Sequence, residues 1–484
     1  MRHAAITACK RRWPWRVFPD PHWRLSKDLC MVSIILVKPE FVDRERELAW
    51  LEERFRSGGA ELLVIYGRRR LGKTELLKRF LRSKRCIYFL VSRTSLQDNI
   101  ETLKKKIAEF TGKRLYERLQ VRGLGELLTY LAEEVERPCL VIDEFGYLVE
   151  LDRGVLSDLQ AAWDEVLSRR NFFLVLCGSS VSMFETEVLG YKSPLYGRRT
   201  GSWRVEPLSF RDARSFIPRY GFEDAVRVWA VAGGVPMYLR LFDDGLEFEE
   251  NLKRAVFTKG SLLYDEGYFL LREELREPST YLALLKYLAA GYNTIGKLAS
   301  AMGVDKANLT KYLAVLQSLG LVKHVVPYGQ RRKGIYAVAD NYMWFWLKFV
   351  LPNQSELELG YVDEVLHKIR PELEQHMGLV FEELVRQLIA SRAIPLPFKP
   401  TYVGQWWRGE AQIDVVALDQ HNALFVEVKW GRATSQDLAK LIENSQRVDV
   451  GGRKRHYLVV AREGSGVDWL IDFEELDKLT KPSG

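Results

Sequence analysis

Cysteine is scarce in this chain. Its 484 residues include five, Cys9, Cys30, Cys86, Cys139 and Cys177, and they form no CxxC pair and no even framework. Cys139 and Cys177 fall in apolar runs that read as buried strands. This usage suits a reducing, intracellular and cytoplasmic setting better than a secreted one. Long apolar runs are missing too. No stretch approaches the ~18 uninterrupted apolar residues that a membrane span needs, so no membrane is expected as a partner. No GxGxxG is present, which sets aside a dinucleotide-binding Rossmann site.

Charge is unevenly spread. The net charge is +8, yet residues 1–30 hold seven Lys/Arg against two Asp/Glu, leaving +3 for the rest. That tail has three prolines, little periodicity and no continuous apolar segment of the signal-peptide kind. It is expected to be a disordered basic extension read from an upstream start codon, with a strand opening at Met31. The remaining chain has ordinary globular composition, 47% hydrophobic and 28% charged overall. At roughly 150 residues per domain, about three domains are expected.

The clearest signal is "ELLVIYGRRRLGKTELLKRF" (61–80). An apolar strand runs into Gly67-Arg-Arg-Arg-Leu-Gly72-Lys73-Thr74, which matches GxxxxGK[ST] at every fixed position, and a helix follows. Glycines let backbone N–H groups wrap phosphates, Lys73 reaches the terminal phosphates and Thr74 can ligate Mg2+. "RPCLVIDEFGYL" (137–148) is a second strand, ending in Asp143 and Glu144. An acid at the end of a neighbouring parallel strand can hold the Mg2+ shell, and the next can orient or deprotonate water. Together they predict a P-loop NTPase that takes ATP and Mg2+. Ser179 and Ser180 close a further strand, either as γ-phosphate sensors or as a plain helix cap. Arg198 and Arg199 are candidate arginine fingers, for which a homo-oligomer is needed if they act in trans, or simply a solvated basic loop.

At this point the sequence resembles archaeal ATPases of the AAA and STAND type. "FVDRERELAWLEERF" (41–55) is similar to the segment before their P-loop, which implies that Arg44 and Glu47 help seat the nucleotide; Asp43 stands where that family has Gly. "AGGVPMYL" (232–239) resembles the family's GGxP turn in a helical lid, which implies that Pro236 lies near the base. The resemblance extends over residues 36–478, to the archaeal ATPase family whose C-terminal half was labelled a domain of unknown function.

Residues 279–340 read as three helices followed by two strands, the pattern of a winged helix-turn-helix, with Asp305 as N-cap and Gly320 as stop for the third helix. Residues 276–350 hold ten Lys/Arg against three Asp/Glu. DNA is therefore the expected partner, with Lys306, Asn308, Thr310 and Lys311 on the third helix and Arg331, Arg332 and Lys333 in the wing turn as contacts. Winged helices also pack domains and oligomers, which is the competing reading. The aromatic run 341–350 is expected to be core.

The last motif is "IDVVALDQHNALFVEVKW" (413–430). Two strands flank the turn 419–422; pairing Leu418 with Ala423 and counting outward sets Asp414 opposite Glu427. Like charges there are destabilising, and a divalent cation between them would relieve this. Lys429 shares the face of Glu427. The pattern resembles the PD-(D/E)XK nuclease core, which implies a helix glutamate as well, Glu382 with Glu383 as second choice; Ile413 replaces the usual Pro. Mg2+ would suit Glu382, Asp414 and Glu427, with Lys429 catalytic. Residues 371–484 carry 14 Lys/Arg against 17 Asp/Glu, which counts against tight DNA binding by this part alone.

The expected architecture is α/β: a P-loop core with parallel sheet (31–205), a helical lid (206–275), a winged helix (276–350), a linker (351–370) and a restriction-endonuclease-like α/β domain (371–484). Two functions are open. One is an ATPase that docks DNA and cuts it at the C-terminal site; the other is a STAND-like ATP-dependent switch with a silent nuclease-like module.

Overall fold

The computed structural model describes residues 41–330 and 334–482. The basic extension 1–30, the strand expected at Met31 and the wing residues Arg331, Arg332 and Lys333 lie outside the described residues. The N-terminal half is built on five strands: β1 (Glu61–Tyr66), β2 (Ile87–Leu90), β3 (Cys139–Asp143), β4 (Phe173–Gly178) and β5 (Gly201–Arg204). They form one sheet in the order β2-β3-β4-β1-β5, and every pair is parallel. β3 and β4 are buried at every position, which is why they read as continuous apolar runs and not as alternating ones.

The expectation that the Asp143 strand neighbours the P-loop strand is corrected here. β4 lies between β1 and β3. Asp143 reaches the P-loop all the same, because the helix Lys73–Leu81 leaves β1 and packs back over the sheet, carrying Thr74 to it.

The cysteine reading is also corrected. The sulfurs of Cys86 and Cys139 are bonded, with Cα atoms 4.6 Å apart. The residues are 53 apart in sequence, and parallel pairing of Ile87 with Leu140 makes them neighbours. Cys177 is buried and free.

Three helices follow in the basic middle, Pro278–Ala289, Ile295–Met302 and Lys306–Ser318, then two antiparallel strands, β6 (Val322–Val325) and β7 (Ile335–Val338). Asp305 caps the third helix, accepting from the N–H groups of Ala307 and Asn308, and Gly320 follows that helix at φ +69°. The aromatic run is core: Tyr342, Phe345, Trp346 and Phe349 are fully buried. Gly267 lies against the Trp346 indole, where an added Cβ would sit 2.4 Å from the ring.

The predicted linker 351–370 is helical instead. A 29-residue helix, Val362–Ala390, runs straight through the predicted boundary with Pro371 inside it. Proline removes one backbone donor, but buried Leu366, Ile369, Leu373 and Met377 keep one face packed along the helix on either side of it. This helix packs on a mixed sheet of order β12-β11-β10-β9-β8, made of β8 (Tyr402–Arg408), β9 (Ala411–Leu418), β10 (Asn422–Thr434), β11 (Lys454–Ser465) and β12 (Leu470–Ile471). Among the described residues no helix is long and apolar enough to cross a membrane.

Candidate nucleotide site

The 67–74 loop leaves β1 at a backbone crossing. Gly67 takes φ +153°, and a Cβ there would sit 2.5 Å from the Val205 carbonyl oxygen. Gly72 takes φ +86° and is the N-cap of the helix Lys73–Leu81. Both glycines are demanded by geometry. Lys73, at the first helical position, is 4% exposed. Its Nζ donates to the Gly67 carbonyl at 2.6 Å and to the Arg68 carbonyl at 2.9 Å. Burial holds its pKa below the ordinary lysine range, against the pull of the nearby acids Glu144, Asp143 and Glu274.

Thr74 Oγ1 donates to Asp143 Oδ2 at 2.8 Å, and the Tyr88 hydroxyl donates to the same oxygen at 2.6 Å. Asp143 Oδ1 accepts from the Glu144 N–H at 3.0 Å. Glu144 sits at φ +57°, an uncommon conformation for a side-chain-bearing residue, and Ser179 Oγ donates to its Oε1 at 2.6 Å. A hydroxyl and a carboxylate in contact beside a buried lysine at a helix N-terminus suit Mg2+ and phosphate.

Arg44 and Glu47 form a buried pair at 2.9 Å. Arg44 Nη2 also donates to the carbonyls of Leu71 and Glu206 at 3.1 and 2.8 Å, so it ties the end of the P-loop to the segment after β5. Asp43, which replaces the glycine of the resemblance, takes φ +42°. Burial, with Asp212 beside it, pushes its carboxyl up to about 7. Pro236 opens a short helix after Val235, and Gly233, Gly234 and Val235 line a cavity of about 390 Å³ shared with Arg68 and Leu71. Arg198 and Arg199 are not brought to this site. Arg198 is clasped by Asp164 at 2.9–3.0 Å, and Arg199 donates to the Leu189 carbonyl.

The sequence reading missed four carboxylates. Arg68 pairs with Asp340 at 2.6 Å, Arg69 with Glu273 at 2.6 Å, and Arg70 with Glu266. Arg69 also donates to the Tyr147 hydroxyl. Glu266 and Glu273 lie on the helix Leu262–Glu274, and its last residue, Glu274, has Arg68 and Lys73 as charged neighbours. The available signal was three consecutive arginines in a phosphate loop and acids seven residues apart, on one face of a helix.

In the C-terminal sheet the hairpin pairs Leu418 with Ala423 as expected and continues to Val415 with Val426, where the paired ladder ends one step short of Asp414 and Glu427. Asp414 is buried; its Oδ2 accepts from the Val428 N–H and its Oδ1 from Gln412, both at 2.9 Å. Lys429 Nζ contacts Glu427 at 2.8 Å and Asp437 at 3.5 Å. Burial, then the charges of Asp414 and Glu427, pushes the Glu382 carboxyl up to about 8. Glu383 faces elsewhere: although burial opposes it, Lys323 and Arg386 hold its carboxyl down to about 2. Among the described residues no three His, Cys, Asp or Glu side chains are gathered as a ready metal cage. Lys306, Asn308, Thr310 and Lys311 are all exposed on the third helix of the basic middle.

Residues 41–242 match a family described as an ATPase domain predominantly from Archaea, and residues 346–441 match one described as archaeal and bacterial proteins of unknown function. An uncharacterized protein of Methanocaldococcus jannaschii is 32% identical over 450 residues, covering 90% of this chain and 99% of the relative. An uncharacterized ATP-binding protein of the same organism is 49% identical over 45 residues, 9% of this chain and 76% of that protein. Among solved structures, a Walker-type ATPase of Pyrococcus abyssi is similar with a TM-score of 0.49 at 21% identity, covering 64% of this chain and 96% of that one.

Proposed function

We propose, from the premise that the chain belongs to this family of archaeal ATPases, that it binds ATP with Mg2+ at the 67–74 loop and hydrolyses it. The reading is carried by the hydrogen-bonded series Thr74–Asp143–Glu144–Ser179 beside buried Lys73. Lys73 and the helix N-terminus hold the terminal phosphates. Thr74 and Asp143 hold Mg2+, which when bound offsets the charge on the transferring phosphoryl group. Glu144 orients the attacking water and takes its proton, and Ser179 fixes the rotamer of Glu144. Arg44 and Glu47 brace the loop end, and the turn before Pro236 closes the side expected to take the base. ATP turnover by Glu144→Gln tests the assignment. Binding should persist while turnover falls by at least 100-fold, of the order that general acid–base groups contribute; a variant as fast as wild type would remove Glu144 from the chemistry.

A second reading concerns the C-terminal acids. The hairpin pairing up to Val415 and Val426, and the charges of Asp414 and Glu427 that act on Glu382, support a divalent-cation site, with Lys429 at its edge, that forms only when these carboxylates draw together on the ion and that cleaves DNA presented by the exposed face of the third helix. Its competitor is a nucleotide-driven switch in which this domain only packs. Labelled duplex, single-stranded and branched DNA incubated with Mg2+ or Mn2+, with and without ATP, decides between them: cleavage lost in Asp414→Ala and Glu427→Ala supports the nuclease, and no cleavage with turnover intact supports the switch.

A further inference from the structure

A phosphate loop binds its ligand by turning backbone N–H groups inward. Here two of its carbonyls, those of Gly67 and Arg68, face the Lys73 ammonium at 2.6 and 2.9 Å. Phosphate oxygens and these carbonyls compete for the same three donor positions of one ammonium group. The two carbonyls occupy two of the three, so a nucleotide that takes more than the third displaces a loop carbonyl and shifts the loop.

The loop is not free to shift independently. Each of its three variable arginines is tied to an element far away in sequence. Arg68 and Asp340 are both largely buried and 2.6 Å apart. Asp340 is also the N-cap of the helix Asn341–Phe345, accepting from the Met343 N–H at 2.7 Å. Arg69 and Arg70 are tied to Glu273 and Glu266 on the helix Leu262–Glu274. Glu266 is in turn held by the Tyr238 hydroxyl at 2.5 Å. Arg70 takes φ +68°, a conformation that a side-chain-bearing residue keeps only when its surroundings impose it. Beside these ties, Arg68 Nη1 and Glu274 Oε2 are buried without a hydrogen-bond partner, so the interface holds an unused donor and an unused acceptor. An arrangement that is tied but incompletely satisfied is what one expects of one of two alternative packings.

We propose that Arg68, Arg69 and Arg70 form a latch between the phosphate loop and the helix Leu262–Glu274, and that nucleotide phosphate releases it. The latched loop is the form that disfavours nucleotide, and phosphate binding shifts the loop, breaks the arginine–carboxylate ties and frees the helix. By linkage, weakening the latch must strengthen nucleotide binding by the factor that nucleotide weakens the latch. The proposal rests on the ATP-binding reading above and adds the residues that convert binding into movement.

The test uses the full chain with Mg2+ and a fluorescent ATP analogue, together with hydrogen exchange of the helix Leu262–Glu274. Glu273→Gln is the first variant, because Glu273 is exposed and its loss is not expected to threaten folding. Glu266→Gln, which keeps side-chain shape at the buried tie, is the second. Each should tighten the analogue by about 3- to 10-fold, the range set by losing one partly screened charged pair. In nucleotide-free variants the helix should exchange at the rate wild type reaches only with nucleotide. Unchanged or weaker affinity in both variants, with unchanged exchange, overturns the latch while leaving ATP binding intact. Wild type that binds no analogue at all overturns the nucleotide reading itself, and the latch with it.

Discussion

Replacing Glu274 by glutamine should stabilise the protein, by an amount that grows as pH rises from 4.5 to 7 and then levels off. Glu274 ends the helix Leu262–Glu274 where it meets the phosphate loop. Burial pushes its carboxyl from the ordinary 4.5 up to about 7, against the opposing pull of Arg68, Lys73, Arg69 and the Val181 N–H. The fold therefore prefers the protonated acid. Its favourable contribution is complete below pH 4.5, declines as pH rises, and is lost on passing pH 7, where the buried carboxylate is charged. The shift amounts to about 3 kcal/mol at ~1.4 kcal/mol per pH unit, an upper value because water can reach part of the site. Glutamine keeps the shape and cannot ionise. Urea unfolding of both proteins should coincide near pH 4.5 and diverge to pH 8, with Glu274→Gln more stable by about 1–3 kcal/mol there. The difference between the two proteins isolates this group from every other titration. Parallel stability curves across that range, or a more stable wild type at pH 8, would refute the argument that desolvation outweighs the neighbouring cations.

Arg214 is 1% exposed and donates to Asp477 at 2.6 Å, Thr480 at 2.9 Å and the Tyr220 carbonyl at 3.2 Å, so it pins the C-terminal helix Phe473–Thr480 to the segment 206–275. Arg214→Ala should cost about 3–5 kcal/mol and expose that helix to protease, as read by denaturant unfolding and limited digestion. If Glu382, Asp414 and Glu427 hold a cation, saturating Mn2+ should raise wild-type stability by about 2.7 kcal/mol at 100 times Kd, and Glu427→Gln should abolish the gain. Lys306→Ala and Lys311→Ala should each weaken duplex DNA binding without regard to sequence and lower the salt slope by about 1, measured by fluorescence anisotropy over a salt series.

Local chemistry was legible in the sequence, and distant pairing was not. The strand–loop–helix at 61–80 could be read because glycine, lysine and threonine must stand at fixed spacing for a loop to wrap phosphate. The hairpin register followed from a turn length and a period of two, and the Asp305 cap from a side chain that bonds its own helix. Sheet order was beyond reach: nothing in 137–148 says that β4 will lie between β3 and β1. The Cys86–Cys139 bond depends on the pairing of β2 with β3, which was equally out of reach. The linker expected at 351–370 is helical because the apolar face on either side of Pro371 carries the helix through, despite the one donor that proline removes. The ties from Arg68, Arg69 and Arg70 span about 200 residues or more, so only the folded chain brings their carboxylates into range.

The most direct test of the nucleotide assignment is calorimetric titration of wild type and Lys73→Ala with Mg2+ and ATP. Lys73 is buried, sits at the helix N-terminus and faces the loop that would wrap the phosphates. Wild type should bind, and Lys73→Ala should lose at least ~10-fold in affinity, the ~1.5–3 kcal/mol of a charge-assisted contact. Equal affinity in the two proteins would place the nucleotide elsewhere and contradict the ATPase reading at its root.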